Sequence, residues 1–206
     1  MKILIGIPTH DNRIHIGLSQ NLIQIALKTS SKGDDLSIQY PCSPFISFNR
    51  NLIISQAIKD YVDWVLKVDS DIEVPQECLY KMIDEAYRNN AALLGLAVKI
   101  KSIENEYACA EIKDGEYVRL KDVGKKIRKI DVVGAGVSLI NMKWLRSSGL
   151  QCPWYEFRDG KKEDIPTISP EDWEFCRKIK SKKGKIFLLP TIETIHHGLS
   201  YWHHNL

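Results

Sequence analysis

The sequence predicts a doubly wound α/β domain built on a mixed, mainly parallel sheet with helices on both faces. Three observations carry this. Short apolar, β-branched runs alternate with longer stretches of helical apolar spacing through the first hundred residues. One of those runs, Val65, Leu66 and Val68, ends in two aspartates one residue apart, Asp69 and Asp71, as a buried strand opening into a binding crevice would. The chain has 206 residues, 44% of them hydrophobic and 27% charged, enough for one well-buried domain.

The first strand is expected at 2–7, broken by Pro8 and opening into the polar loop Thr9, His10, Asp11, Asn12, Arg13. A helix follows at 14–28, where Ile14, Leu18, Leu22, Ile25 and Ala26 share a face, and Gly33 sits in the turn after it. A second strand is expected at 36–40, a helix at 50–61 on Leu52, Ile53, Ala57 and Ile58, and the third strand on the apolar run Val65, Leu66 and Val68. Pro75 fits a first helical position, so 75–90 reads as a helix stopped by Asn89 and Asn90, followed by a strand at 91–100. Asp114-Gly115 between two short runs predicts a hairpin, because that pair tolerates the positive φ angles of a tight turn. A glycine-bearing strand is expected at 131–141 and a short helix at 142–148, stopped by Gly149. Residues 151–169 read as a long functional loop, 170 onward as a helix capped by Ser169 with Pro170 at its first position, and 185–189 as the last strand. The whole chain is taken as a single domain, 1–100 forming a nucleotide-binding half and 101–206 an acceptor-binding half, with further chain after 206 also open.

The net charge of +3 gives no support for nucleic acid as a partner. Basic residues gather at 121–129 and 178–185, segments that are solvated faces or contacts to an anionic membrane surface or a phosphorylated substrate. Five cysteines lie far apart with no Cys-x-x-Cys pair, which fits a reducing compartment, and the expected location is cytoplasmic, with peripheral membrane contact through the basic segments. The apolar start at Met1 is too short for a signal sequence, and no run is long enough to span a membrane.

Asp69 and Asp71 repel one another unless a cation neutralises them, and their oxygen ligands suit Mg²⁺ or Mn²⁺. The plainer alternative makes one a helix cap and the other a solvated loop residue. Glu171 and Asp172 likewise fall in the first turn of a helix, where the dipole favours acids without any catalysis.

Four features nevertheless occur in a telling order: the polar loop after the first strand, Arg50-Asn51 opening a helix, Asp69-Ser70-Asp71 after an apolar strand, and Glu171-Asp172 at a helix start, with His196-His197-Gly198 near the end. Together they resemble a nucleotide-sugar-dependent glycosyltransferase of the GT-A fold, from Ile3 to Gly198. The resemblance implies that Asp71 ligates a Mn²⁺ or Mg²⁺ ion on the donor diphosphate, with Asp69 reaching ribose or metal and Ser70 between them. It implies that Thr9, His10, Asp11, Arg13 and Arg50 line the nucleotide site and that Gly134, Ala135 and Gly136 pass close to the sugar. By the same resemblance Asp172 is the general base of an inverting reaction, with Glu171 as its partner or the alternative base, and His196 or His197 completes the metal site. Alternatives stay open: Arg50 as a surface ion pair, the glycines as a bulge or packing constraint, and a structural histidine.

The expected activity is transfer of a sugar from a nucleoside diphosphate sugar, with UDP favoured, to a hydroxyl of a glycan, lipid-linked or protein acceptor. The competing readings are a sugar-nucleotide nucleotidyltransferase, disfavoured because the first loop lacks a glycine-rich phosphate cradle, and a noncatalytic nucleotide-sugar or glycan-binding module.

Overall fold

The structure is a computed structural model that describes residues 1–101, 106–162 and 165–198, with side chains at 160–167 left aside. The elements run β1 (Lys2–Gly6), α1 (Ile16–Ser31), β2 (Asp35–Gln39), α2 (Ile46–Lys59), β3 (Trp64–Val68), β4 (Ile72–Glu73), α3 (Cys78–Asn89) and β5 (Leu93–Leu96). There follow β6 (Cys109–Lys113), β7 (Glu116–Arg119), β8 (Arg128–Lys129), β9 (Val132–Val133), β10 (Val137–Asn141) and α4 (Met142–Ser147). The last are β11 (Arg158–Lys162), β12 (Ile165–Ser169), α5 (Glu171–Ser181), β13 (Ile186–Leu189) and β14 (Ile195–His196).

Seven strands form one sheet in the order β2-β1-β3-β10-β5-β13-β8. β1 pairs in parallel with β2 and β3, and β5 with β13, while β10 is inserted antiparallel between β3 and β5 and β8 closes the edge antiparallel to β13. This is the mixed, mainly parallel doubly wound sheet that the sequence predicts. Period-two alternation divides the side chains between two cores. Ile3, Ile5, Leu66 and Val68 pack with Leu18, Leu22 and Ile25 of α1 and Leu79, Met82 and Ile83 of α3. Leu4 and Val65 point the other way, toward Ile53 and Ala57 of α2, Met142 and Leu145 of α4, and Phe175 and Ile179 of α5. The same alternation sends Lys67, and Asp69 just beyond β3, to the α2/α5 side. That places the acids where helices from distant parts of the chain can meet them.

Several boundaries differ from the sequence expectation for local physical reasons. α2 begins at Ile46, one turn before Arg50, so Arg50 sits inside the helix on its buried face. α3 begins at Cys78 because β4 stays extended to pair with β14, and Pro75 only accepts the turn bond from the Cys78 N–H. The strand expected at 131–141 is two strands: Gly134 to Gly136 form a turn between β9 and β10. The segment 151–169 is not all loop, since β11 and β12 pair as a hairpin within it. Pro170, not Ser169, occupies the N-cap of α5, without a side-chain cap bond. Among the described residues no helix is long and apolar enough to cross a membrane.

Candidate functional site

Arg50 organises the carboxyl edge of β3. It is 5% exposed, and its Nη2 donates to both oxygens of Asp69 at 3.0 and 3.1 Å, while its Nη1 donates to Glu171 Oε1. Burial works against the guanidinium charge, but Asp69 and Asp172 more than offset it, and its pKa is raised. Glu171 is itself buried, so its carboxylate serves as the inner counterion of Arg50.

Asp172 points elsewhere. It is partly exposed, and it accepts from the Ala135 N–H at 3.1 Å and from its own helix's Trp173 N–H at 2.8 Å. The Asp69 N–H in turn donates to the Gly136 carbonyl at 2.8 Å. Segments 69–71, 134–136 and 171–172 therefore meet at one place. Glycine at 134 is a packing necessity: a Cβ there would lie 2.5 Å from the Ala108 carbonyl oxygen. Gly134→Ala should consequently displace the turn that holds Asp172 and cost about 1–3 kcal/mol, readable by denaturant unfolding.

The loop after β1 abuts the same edge. Thr9 is buried, its hydroxyl accepts the Asn12 N–H at 3.2 Å, and its carbonyl accepts from Asn49 Nδ2 at 2.7 Å. His10, Asp11 and Arg13 are exposed, with Asp11 accepting the Arg13 N–H at 3.1 Å. The His15 N–H donates to the Ser70 carbonyl at 2.8 Å, joining this loop to the Asp-Ser-Asp turn.

Asp71 faces away from Arg50. Its Oδ2 accepts from Lys101 Nζ at 2.5 Å, and its Oδ1 lies 3.7 Å from His196 Nε2. The Lys99 carbonyl lies 2.7 Å from His196 Nδ1; a carbonyl can only accept, so Nδ1 carries a proton and Nε2 is the nitrogen turned to Asp71. His197 goes to a different partner, Glu73 Oε1, at 2.6 Å.

Sequence reasoning gave Asn51 no role beyond its place beside Arg50, and did not single out Lys67 or Tyr155. Asn51 Oδ1 accepts from the Trp154 and Tyr155 N–H groups at 2.9 and 3.0 Å and its Nδ2 donates to the Tyr155 carbonyl at 2.7 Å, fixing the Tyr155 ring beside Arg50 and Lys67. Lys67 is fully buried, its Nζ 4.0 Å from the Tyr155 ring centroid and without a hydrogen-bond partner among the described residues. Burial and then the charge of Arg50 hold its pKa well below the ordinary lysine value of 10.5. The unfolded chain thus binds more protons than the folded one between that lowered pKa and 10.5, and stability rises with pH across the window. Lys67→Met should stabilise the fold by about 1–4 kcal/mol and remove this rise, as urea unfolding at a series of pH values would show. A lysine inside an otherwise apolar strand was the available signal.

A recess of 1210 Å³ bordered by Met1, Trp64, Tyr80 and Trp144 opens at the amino ends of the strands, away from all these acids. No protein-family model matches the chain, and no curated protein matches it. Solved structures do. A197 from STIV superposes with a TM-score of 0.66 at 14% identity, covering 97% of this chain and 87% of that one. Residues 1–349 of TarS from S. aureus, in complex with UDP-GlcNAc, superpose with a TM-score of 0.57 at 16% identity, covering 99% of this chain and 60% of the TarS chain. The fold is GT-A-like.

Proposed function

We propose that this chain is a glycosyltransferase that moves a sugar from a nucleoside diphosphate sugar to an acceptor hydroxyl. The observation that carries the reading is the meeting of Asp69, the Gly134 to Gly136 turn and Asp172 at the carboxyl edge of β3, locked by the Arg50 bridge to Asp69 and Glu171. The complex of TarS with UDP-GlcNAc supports the donor class, with a UDP-sugar as the first choice.

The residues fit a divalent ion on the Asp71 side. Asp71 offers a carboxylate and His196 an Nε2 fixed by its Nδ1 bond to Lys99, while Lys101 already supplies positive charge to that carboxylate. Mn²⁺ or Mg²⁺ held there would stabilise the charge that gathers on the departing nucleoside diphosphate. Asp69, engaged by Arg50, is placed to orient ribose or to support the ion. Thr9, Asp11 and Arg13 belong to the loop that the His15 N–H ties to Ser70 and are assigned to the nucleotide. Glu171 positions Arg50, which leaves Asp172 as the base: its carboxylate is oriented by two N–H groups and is accessible from solvent, so it can take the proton of an incoming hydroxyl.

Calorimetric titration with nucleoside diphosphates and their sugars, in Mn²⁺ and in EDTA, tests the proposal. Metal-dependent micromolar to millimolar binding is expected, and Asp71→Ala should abolish its metal dependence. Absence of binding under every metal condition would overturn the reading.

A further inference from the structure

Three side chains outside the Arg50 cluster converge on the α1 side of the same edge. His15 is the N-cap of α1, Glu73 lies in β4, and His197 follows β14. Glu73 Oε1 is 3.0 Å from His15 Nδ1 and 2.6 Å from His197 Nε2. The two imidazoles stack with centroids 3.4 Å apart and 10° between planes, and the three donor atoms lie within 4.8 Å of one another.

Proton bookkeeping fails at this cluster. His15 Nδ1 also stands 3.2 Å from the Gly17 N–H as its acceptor. A protonated Nδ1 can bond Glu73 but cannot accept from Gly17; an unprotonated one accepts from Gly17 but meets the carboxylate lone pair to lone pair. Nor can both stacked rings become imidazolium without placing like charges face to face. A cation among the three donors removes the repulsion between the Nδ1 lone pair and the carboxylate, with the Gly17 N–H giving up its weak 3.2 Å bond to that nitrogen.

We propose that His15, Glu73 and His197 form a Zn²⁺ site, separate from the Asp69 and Asp71 carboxylates and independent of the glycosyltransferase reading. Two imidazoles and one carboxylate are a donor set of zinc rather than of Mg²⁺, which prefers oxygen. Tetrahedral zinc with ligands at about 2.0–2.2 Å sets its donors roughly 3.3 Å apart, so the present 2.6 and 3.0 Å contacts need only open slightly. The half-buried side chains leave a fourth position for water. The three ligands come from segments joined by the short β4–β14 pair and by single backbone bonds from the His15 and His197 N–H groups to the Ser70 and Asp71 carbonyls, so the ion would pin α1, β4 and the end of β14 together. Gly17 completes the cradle: a Cβ there would lie 2.0 Å from Glu73 Oε1.

The test uses the whole chain, stripped with EDTA and titrated with Zn²⁺ against a chromogenic chelator, with Co²⁺ as a spectroscopic probe. Asp71→Ala is the reference, because it removes the carboxylate of the neighbouring cluster. It should still bind a single Zn²⁺ tightly, give the visible Co²⁺ bands of a four- or five-coordinate nitrogen and oxygen site, and melt at higher temperature with Zn²⁺. Adding His197→Gln or Glu73→Gln should weaken binding more than about tenfold, the smaller loss seen on removing even an outer partner. Gly17→Ala, which keeps all three ligands but pushes Glu73 aside, should weaken it as well and serves if a ligand variant fails to fold. Absence of Zn²⁺ binding by the Asp71→Ala chain, or undiminished binding by folded Gly17→Ala and His197→Gln chains, would overturn the proposal.

Discussion

Asp172→Asn is expected to lower turnover by about 10²–10⁴-fold while leaving donor affinity almost unchanged. The Ala135 and Trp173 N–H groups donate to different oxygens of Asp172, so asparagine keeps one of these bonds and gives up the other; the bond that remains holds the side chain at the turn, and the ability to take a proton is lost. The separation matters because Glu171, next in the chain, is buried against Arg50 and would fail differently: its loss would disturb the fold and the donor site together. Parallel measurement of turnover and of calorimetric donor affinity distinguishes the two. Normal turnover by the Asp172→Asn chain would remove Asp172 from the base position.

Local chemistry was legible in the sequence. Val65, Leu66 and Val68 are apolar and β-branched or close to it, all are fully buried, and the two aspartates that follow fall at the strand end as expected. The Asp-Gly hairpin formed for the same reason, with Asp114 and Gly115 both at positive φ. What the sequence left hidden is long-range. Arg50 and Glu171 are 121 residues apart, and helix-terminus preference accounted for Glu171 so well that nothing demanded a partner. The helix expected from Arg50 missed its first turn: Phe45 and Phe48 are exposed aromatics around the start of α2, and periodicity cannot see a helix turn whose apolar side chains face solvent. Glu73 and His15 carried no signal at all: they meet where the start of α1 lies against β4, and His197 joins them only because β4 pairs with a strand more than a hundred residues later. The two aspartates were expected in different roles, but the partners that divide them were not visible: Asp69 turns to Arg50, and Asp71 to Lys101 and His196.

That division makes Arg50 the most consequential single residue for stability. Arg50→Met keeps the bulk of the stem but strands Glu171, 6% exposed, as a buried carboxylate with no counterion, while Asp69, whose side chain is 28% exposed, can turn to water. Leaving one member of a buried ion pair uncompensated costs about 3–5 kcal/mol, equivalent to a fall of roughly 6–20 °C in Tm for a chain of this size. The paired substitution Arg50→Met with Glu171→Leu should recover most of that loss, because both charges leave the interior together and the remaining side chains pack against Tyr155 and Phe175. Removal of the arginine also lifts one of the two effects that depress the Lys67 pKa, so the rise of stability with pH should become shallower in both variants. Scanning calorimetry of the parent, single and double variants decides the matter: equal losses in the single and double variants would mean that Glu171 is solvated and that the bridge does not hold the site together.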